Sequence, residues 1–169
     1  MRNDGNNDLI ASINPARLGA AWLVNSTTIV SDADDEMTQL SSFSPETEVL
    51  IDKRFDVLAQ TYSSDGSISL SSYKPNHLTY NVNTNNEAFA VFSEIYYGTG
   101  WNAYIDGELN EHYRVNYVLR GMPLPKGNYQ VEFKFEPQSV TMGSTIALVC
   151  SIFIYLLIGF VGFKSFSKS

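Results

Sequence analysis

Residues 129–136 read YQVEFKFE and run straight into Pro137. Tyr129, Val131, Phe133 and Phe135 fall on one side of an extended chain, and Gln130, Glu132, Lys134 and Glu136 on the other. That period of two predicts a β-strand with one face in a core. A lone strand cannot bury a face, so partners are sought upstream. Pro125-Lys126-Gly127-Asn128 turns the chain, and before it residues 112–124 (HYRVNYVLRGMPL) alternate again, with Tyr113, Val115, Tyr117 and Leu119 inward. Residues 102–105 (NAYI) and the turn pair Asp106-Gly107 predict a hairpin. Residues 87–97 (EAFAVFSEIYY) are apolar on both faces, the mark of a central strand covered on each side. Residues 67–75 and 77–84 alternate about a Lys74-Pro75-Asn76 break, with Ile68 and Leu70, then Leu78, Tyr80 and Val82, sharing one face.

Short strands separated by turn chemistry predict a mainly β domain, a β-sandwich or jelly-roll. The first part of the chain adds less. Residues 1–12 are polar and aperiodic, a flexible lead-in. Residues 20–30 (AAWLVNSTTIV) read as one strand or two short ones, and residues 47–52 as another. Between them, residues 31–40 have the marks of one short helix, capped by Ser31 or Asp32, with acids in its first turn and Met37 and Leu40 three apart. Asp32, Asp34, Asp35 and Glu36 lack the central glycine and the roughly 12-residue spacing of a calcium loop, which favours helix capping.

After Pro137 the composition changes. Residues 143–163, GSTIALVCSIFIYLLIGFVGF, carry no charge over 21 positions. As a helix this run is about 31 Å long, the thickness of a bilayer's hydrocarbon core. We read 137–163 as a single C-terminal transmembrane helix whose partner is the lipid bilayer. The strand before it leaves almost no linker, so the sandwich (13–136) sits close to the bilayer surface. Lys164 and Lys168 follow the span, and the positive-inside tendency places the tail (164–169) in the cytoplasm and the β-domain outside. With no earlier hydrophobic span to carry the domain across, the chain is expected to be the last piece of a longer multi-spanning protein, its missing N-terminal helices being its partner.

Several function classes fall away. The chain has 11 Lys and Arg against 18 Asp and Glu, a formal charge of −7, and no basic stripe for nucleic acid. One cysteine, Cys150, allows neither a disulfide framework nor a cysteine metal site. His77 and His112 are far apart and read as surface histidines on strands. No motif calls for a metal or another cofactor, and no nucleophile elbow or phosphate loop is present. Glu94, Asp106, Glu108 and Glu111 offer carboxylate pairs, as any sandwich this acidic would, so no catalytic residue is assigned.

The candidate ligand-binding residues are Trp101, Tyr104, Arg114, Asn116 and Arg120. Arg114, Asn116 and Arg120 alternate with the inward residues of their strand and so line its opposite face. Trp101 stands in a Gly-rich loop, and an aromatic plane beside Arg and Asn suits a sugar. Equally, Trp101 plugs the sandwich edge while Arg114 and Arg120 pair with acids. The Tyr96-Tyr97 pair and Met142 read as interfacial or core packing.

Residues 96–108 (YYGTGWNAYIDGE), 113–137 (YRVNYVLRGMPLPKGNYQVEFKFEP) and a final span, preceded by residues 13–43, resemble the C-terminal end of the bacterial YfhO-like membrane proteins. The pattern G-W-x-A-x-x-D-G followed by N-Y-x-L-R-x-x-x-L-P-x-G carries the likeness. The resemblance implies a long parent with many membrane helices before a β-rich extracytoplasmic domain. It implies a glycosyltransferase that takes sugar from a lipid-phosphate carrier for envelope glycopolymers, its catalytic carboxylate in an early loop outside this chain. This domain would then position a glycan or acceptor. The alternative is a non-catalytic interaction or scaffolding sandwich anchored to the membrane.

Overall fold

The strand that organises the fold is the one with the cleanest alternation. In the computed structural model, which describes residues 2–3, 9–10, 14 and 17–166, Gly127–Phe135 (β13) is the middle of a five-stranded antiparallel sheet. Its neighbours are β7 (His77–Thr84) on one side and β9 (Trp101–Ile105) on the other, with β6 (Gly66–Lys74) and β10 (Glu108–Asn110) at the edges. Val131 and Phe133 are fully buried, as their alternation requires. The expected hairpins form. Pro75-Asn76 joins β6 to β7, and Asp106-Gly107, both at positive φ (47° and 86°), joins β9 to β10 in the geometry whose twist suits a two-residue hairpin.

A second sheet, of four strands, has the order β11 (Tyr113–Val115), β12 (Leu119–Leu124), β8 (Ala88–Ile95), β3 (Ala21–Val24). The two sheets enclose a core in which Leu78, Tyr80, Val82, Ala103, Val131 and Phe133 meet Ala88, Ala90, Phe92, Met122 and Leu124. The rings of Tyr80, Phe92 and Phe133 meet edge to face at 4.8–6.2 Å. Each such contact contributes about 0.5–1.5 kcal/mol beyond burial.

β8 is apolar on both faces because a third layer covers its other side. Val24, Phe89, Val91 and Val115 pack there against Val49 and Ile51 of β5 (Glu48–Asp52). β5 runs parallel to β4 (Ser26–Val30), and α1 (Ala33–Gln39) connects them. Residues 20–30 thus form two strands in different layers. Asp32 caps α1, its carboxylate accepting from the N–H groups of Asp34 (3.1 Å) and Asp35 (2.9 Å). The face that α1 buries is not the expected one: Met37 is exposed, and Glu36 is fully buried.

The reading of residues 112–124 as one strand is also corrected. β11 and β12 form a hairpin, and Asn116 (φ 47°) and Tyr117 (φ 70°) are its left-handed turn residues. Asn tolerates that region, and distant partners hold the turn. Asn116 exchanges bonds with Leu50 of β5, its N–H donating to the carbonyl and its Oδ1 accepting the N–H, both at 2.9 Å. The Tyr117 N–H donates to Glu36 Oε1 at 2.7 Å. Alternation carries through the turn, since Tyr113, Val115 and Leu119 share the third-layer side, but the opposite side of β12 faces the inter-sheet core, so Arg120 is buried rather than outward.

Of the lead-in, Arg2–Asn3 (β1) and Leu9–Ile10 (β2) pair antiparallel, and the rest of 1–12 lies outside the described residues. At the other end, α2 (Gln138–Phe166) is apolar on every face described, and its segment Gln138–Phe160 is long and apolar enough to cross a membrane. Of the expected tail, 164–166 continue this helix, and 167–169 lie outside the described residues.

Candidate functional site

Trp101 opens β9 opposite Phe135 of β13. It is half-buried, packs against the inter-sheet core, and has the Phe135 ring at 5.3 Å. Behind it lies Arg120, its guanidinium carbon 4.4 Å from the Trp101 ring centre and 5.1 Å from that of Phe133. Arg120 Nε donates to the Ile95 carbonyl at 2.9 Å, while its Nη1 is buried without a hydrogen-bond partner among the described residues. Burial works against the charge of this group. The Arg120–Trp101 pair thus gains a cation–π contact in a desolvated place.

In front of Trp101 is an open cleft of about 480 Å³, within the range of small-molecule sites. Trp101, Ala103 and His112 line it together with Phe55, Tyr96 and Tyr113, and Arg54, Asn110 and Glu111 add polar groups. Phe55 ends a short 3₁₀ turn after β5 and meets Tyr96 (5.8 Å) and Tyr113 (6.4 Å) edge to face. Tyr113 donates from its hydroxyl to Glu111 at 2.9 Å; burial, then this carboxylate, pushes the phenol up to about 12. Both tyrosines therefore present aromatic surface beside hydrogen-bonding groups.

His112 corrects the expectation of a surface histidine. It precedes β11, its ring lies 5.3 Å from Tyr96 and 5.5 Å from Phe133, and its buried Nε2 has no hydrogen-bond partner among the described residues. Burial, with Arg120 adding to it, pushes its pKa down to about 4, so the imidazole is neutral at neutral pH. His77 lies on β7, half-buried beside Glu132 at 2.5 Å.

The other candidates do not share this cleft. Tyr104 is three residues from Trp101 on one strand, so alternation puts it on the opposite face of the sheet. There its hydroxyl donates to Glu136 Oε2 (2.7 Å), Asn102 Nδ2 donates to the same oxygen (2.9 Å), and Lys134 Nζ lies 4.7 Å from the Tyr104 ring centre. These two donors hold the Glu136 carboxyl below the usual carboxylate range. Arg114, on β11 of the second sheet, and Asn116, in the β11–β12 turn, bond instead to the third layer. Arg114 Nη2 meets Glu36 Oε2 at 2.6 Å and Asp52 Oδ2 at 3.5 Å, and its Nη1 donates to the Tyr117 carbonyl at 2.8 Å. Arg54, on the cleft wall, pairs with Asp52 at 3.0 Å. The buried ion network thus reaches the cleft through Arg54.

Of the five candidates, Trp101 lines the cleft, Arg120 backs it, and Tyr104, Arg114 and Asn116 lie elsewhere. Sequence reading did not single out Arg54, Phe55, Asn110 or His112. Arg54-Phe55 sits in a segment without periodicity, and the strand reading hid the cleft-lining position of Tyr113. Among the cleft residues Glu111 is the one carboxylate, and Asp106, in the β9–β10 turn, accepts the Gln130 N–H of neighbouring β13 at 3.1 Å.

The model of the family described as bacterial membrane protein YfhO matches residues 50–147, from β5 through every cleft residue into α2. No curated protein and no solved structure is significantly similar to the chain. The match takes in more than half of the 169 residues and joins the β-layers to a membrane-length helix, so the chain belongs to the YfhO family of bacterial membrane proteins.

Proposed function

We propose that this chain is the extracytoplasmic β-domain and last membrane span of its protein, and that the domain positions a glycan or glycopolymer acceptor for sugar transfer from a lipid-linked donor. The observation that carries the reading is the cleft, where Trp101, Tyr96, Tyr113 and Phe55 offer aromatic surface and Arg54, Asn110 and Glu111 offer donors and acceptors. Sugars present CH faces and hydroxyls together, which such a mixture satisfies. Trp101 is the direct contact in this reading. Arg120 fixes its ring, Arg114 and Asn116 hold the layer that carries Arg54, and Tyr104 fixes the exit to α2. The bond-making groups belong to the missing membrane helices of the parent, and Lys164 and Lys168 support a cytoplasmic C-terminus.

Arg54→Ala and Asn110→Ala in the native gene test this by incorporation of labelled sugar into envelope polymers in membrane vesicles. Loss of one charged hydrogen bond predicts a decrease of about tenfold or more at unchanged protein abundance. Unchanged incorporation overturns the reading. A scaffolding role would then lead, favoured by the exposed Leu109 on edge strand β10, a surface suited to docking another protein.

A further inference from the structure

The two ends of the sandwich differ in chemistry. At one end the turns carry Asn85-Asn86, Asp106-Gly107 and Pro125-Lys126. At the other, Tyr73, Ile95, Tyr97, Val118 and Phe135 are each between 41% and 72% exposed. A chain of contacts gathers these five. The Phe135 N–H donates to Asn76 in the β6–β7 turn beside Tyr73 (2.9 Å), and the Phe135 ring stacks on Tyr97 at 6.4 Å. The Tyr96 N–H donates to the Val118 carbonyl at 2.8 Å, and Leu119 pairs with Ile95 across the second sheet. Gly100 permits the crowding, since a Cβ there would lie 2.4 Å from Tyr97 and 2.5 Å from Phe135.

α2 leaves from this same end. Only Glu136 and Pro137 separate Phe135 from Gln138, and that link is pinned. The Glu136 N–H donates to the Gly100 carbonyl at 2.7 Å while its carboxylate is held by Asn102 and Tyr104. Two extended residues reach about 7 Å. Residues 138–142, before the uncharged run at 143–163, add about 7.5 Å as helix. Phe135 therefore lies within about 15 Å of a hydrocarbon layer entered at Gly143, and within about 7 Å, the depth of the headgroup layer, of one entered at Gln138, where the membrane-length segment begins.

We propose that this end of the sandwich is a membrane-contacting rim, with Tyr73, Ile95, Tyr97, Val118 and Phe135 seated in the headgroup and outer acyl region of the bilayer that α2 crosses. The inference rests on α2 lying in the membrane and is independent of what the cleft binds. Tyrosine suits this layer, with a ring for the acyl boundary and a hydroxyl for water, and exposed Lys74 beside Tyr73 has the reach to meet lipid phosphates. The rim would fix the height and tilt of the cleft above the bilayer, where a flexible tether would not.

The test uses the full chain in nanodiscs of phosphatidylcholine and phosphatidylglycerol. In a Cys150→Ser background, nitroxide labels are placed at Ile95→Cys, Tyr97→Cys and, at the far turn, Lys126→Cys. Collisions with oxygen, which concentrates in lipid, are compared with collisions with a water-soluble nickel complex. The rim predicts an oxygen-to-nickel ratio at positions 95 and 97 roughly threefold or more above that at 126. Equal ratios overturn it. Labels at 95 and 97 shielded from both reagents also overturn it, in favour of a protein surface covering this end.

Discussion

Glu36→Ala removes the centre of the buried ion network, and its cost follows from the contacts. The Glu36 carboxylate is fully buried, accepts from Arg114 Nη2 at 2.6 Å, and takes the Tyr117 N–H at 2.7 Å. Burial raises the carboxyl pKa, and the Tyr117 N–H and Arg114 oppose that. Truncation leaves a largely buried guanidinium without its nearest anion and an unpaired N–H in a left-handed turn. Breaking a buried pair costs about 3–5 kcal/mol. Asp52 remains 3.5 Å from Arg114 as partial compensation, which places this variant near the lower end, about 3 kcal/mol. That is a large part of the total for a domain of this size, about 5–15 kcal/mol. The assay is urea unfolding of the full chain in mild detergent, followed by tryptophan emission, since Trp22 and Trp101 both lie in the β-layers and α2 has none. Glu36→Leu with Arg114→Met removes both charges and should lose less than Glu36→Ala alone. A loss below about 1 kcal/mol in Glu36→Ala would refute the reasoning, because it would mean the network is solvated.

Two further outcomes follow from single contacts. His112 has a folded pKa of about 4 against an ordinary 6.5, so the unfolded chain binds its proton first. Its contribution is fully present above pH 6.5 and is lost as pH falls towards 4, by up to about 3 kcal/mol, and His112→Phe should flatten that window in unfolding measured against pH; an unchanged slope would contradict the buried neutral ring. At Gly121 a Cβ would lie 2.7 Å from Phe89 and 2.8 Å from Val115, between the second sheet and the third layer. Gly121→Ala should therefore lower stability by about 1–3 kcal/mol in the same urea assay, and a neutral result would show that this layer yields easily.

The parts of the fold legible in the sequence are those set by local chemistry. The alternation of β13 and β7, the two-sided apolar run of β8, the Asp106-Gly107 turn and the acid-capped helix depend on neighbours in the chain. The apolar length of α2 belongs with them. The β11–β12 turn was not legible because Glu36 and Leu50, far away in sequence, hold it; Asn116-Tyr117 carries no glycine to announce it. The parallel β4–β5 pair was hidden for a similar reason, since only a third layer explains why β8 needs cover on both faces. The same hidden turn decides the site. It makes Arg114 and Arg120 cross-strand partners, yet Arg120 passes under Trp101 in the inter-sheet core while Arg114, on edge strand β11, reaches the ion network, and the five candidates divide. Trp101 was legible because a large aromatic in a Gly-rich loop needs cover, and Arg120, Phe135 and the core supply it on one side only.

The free side of Trp101 is where the account is most directly tested. In a Trp22→Phe chain reconstituted in nanodiscs, Trp101 is the single indole, and its emission is titrated with hexoses, N-acetylhexosamines and glycerol-phosphate oligomers. The account predicts a saturable change with at least one of these that is lost in Arg54→Ala and Asn110→Ala while melting is unchanged. A response that is absent or rises linearly with every probe would contradict it and leave Trp101 as packing at the sandwich edge.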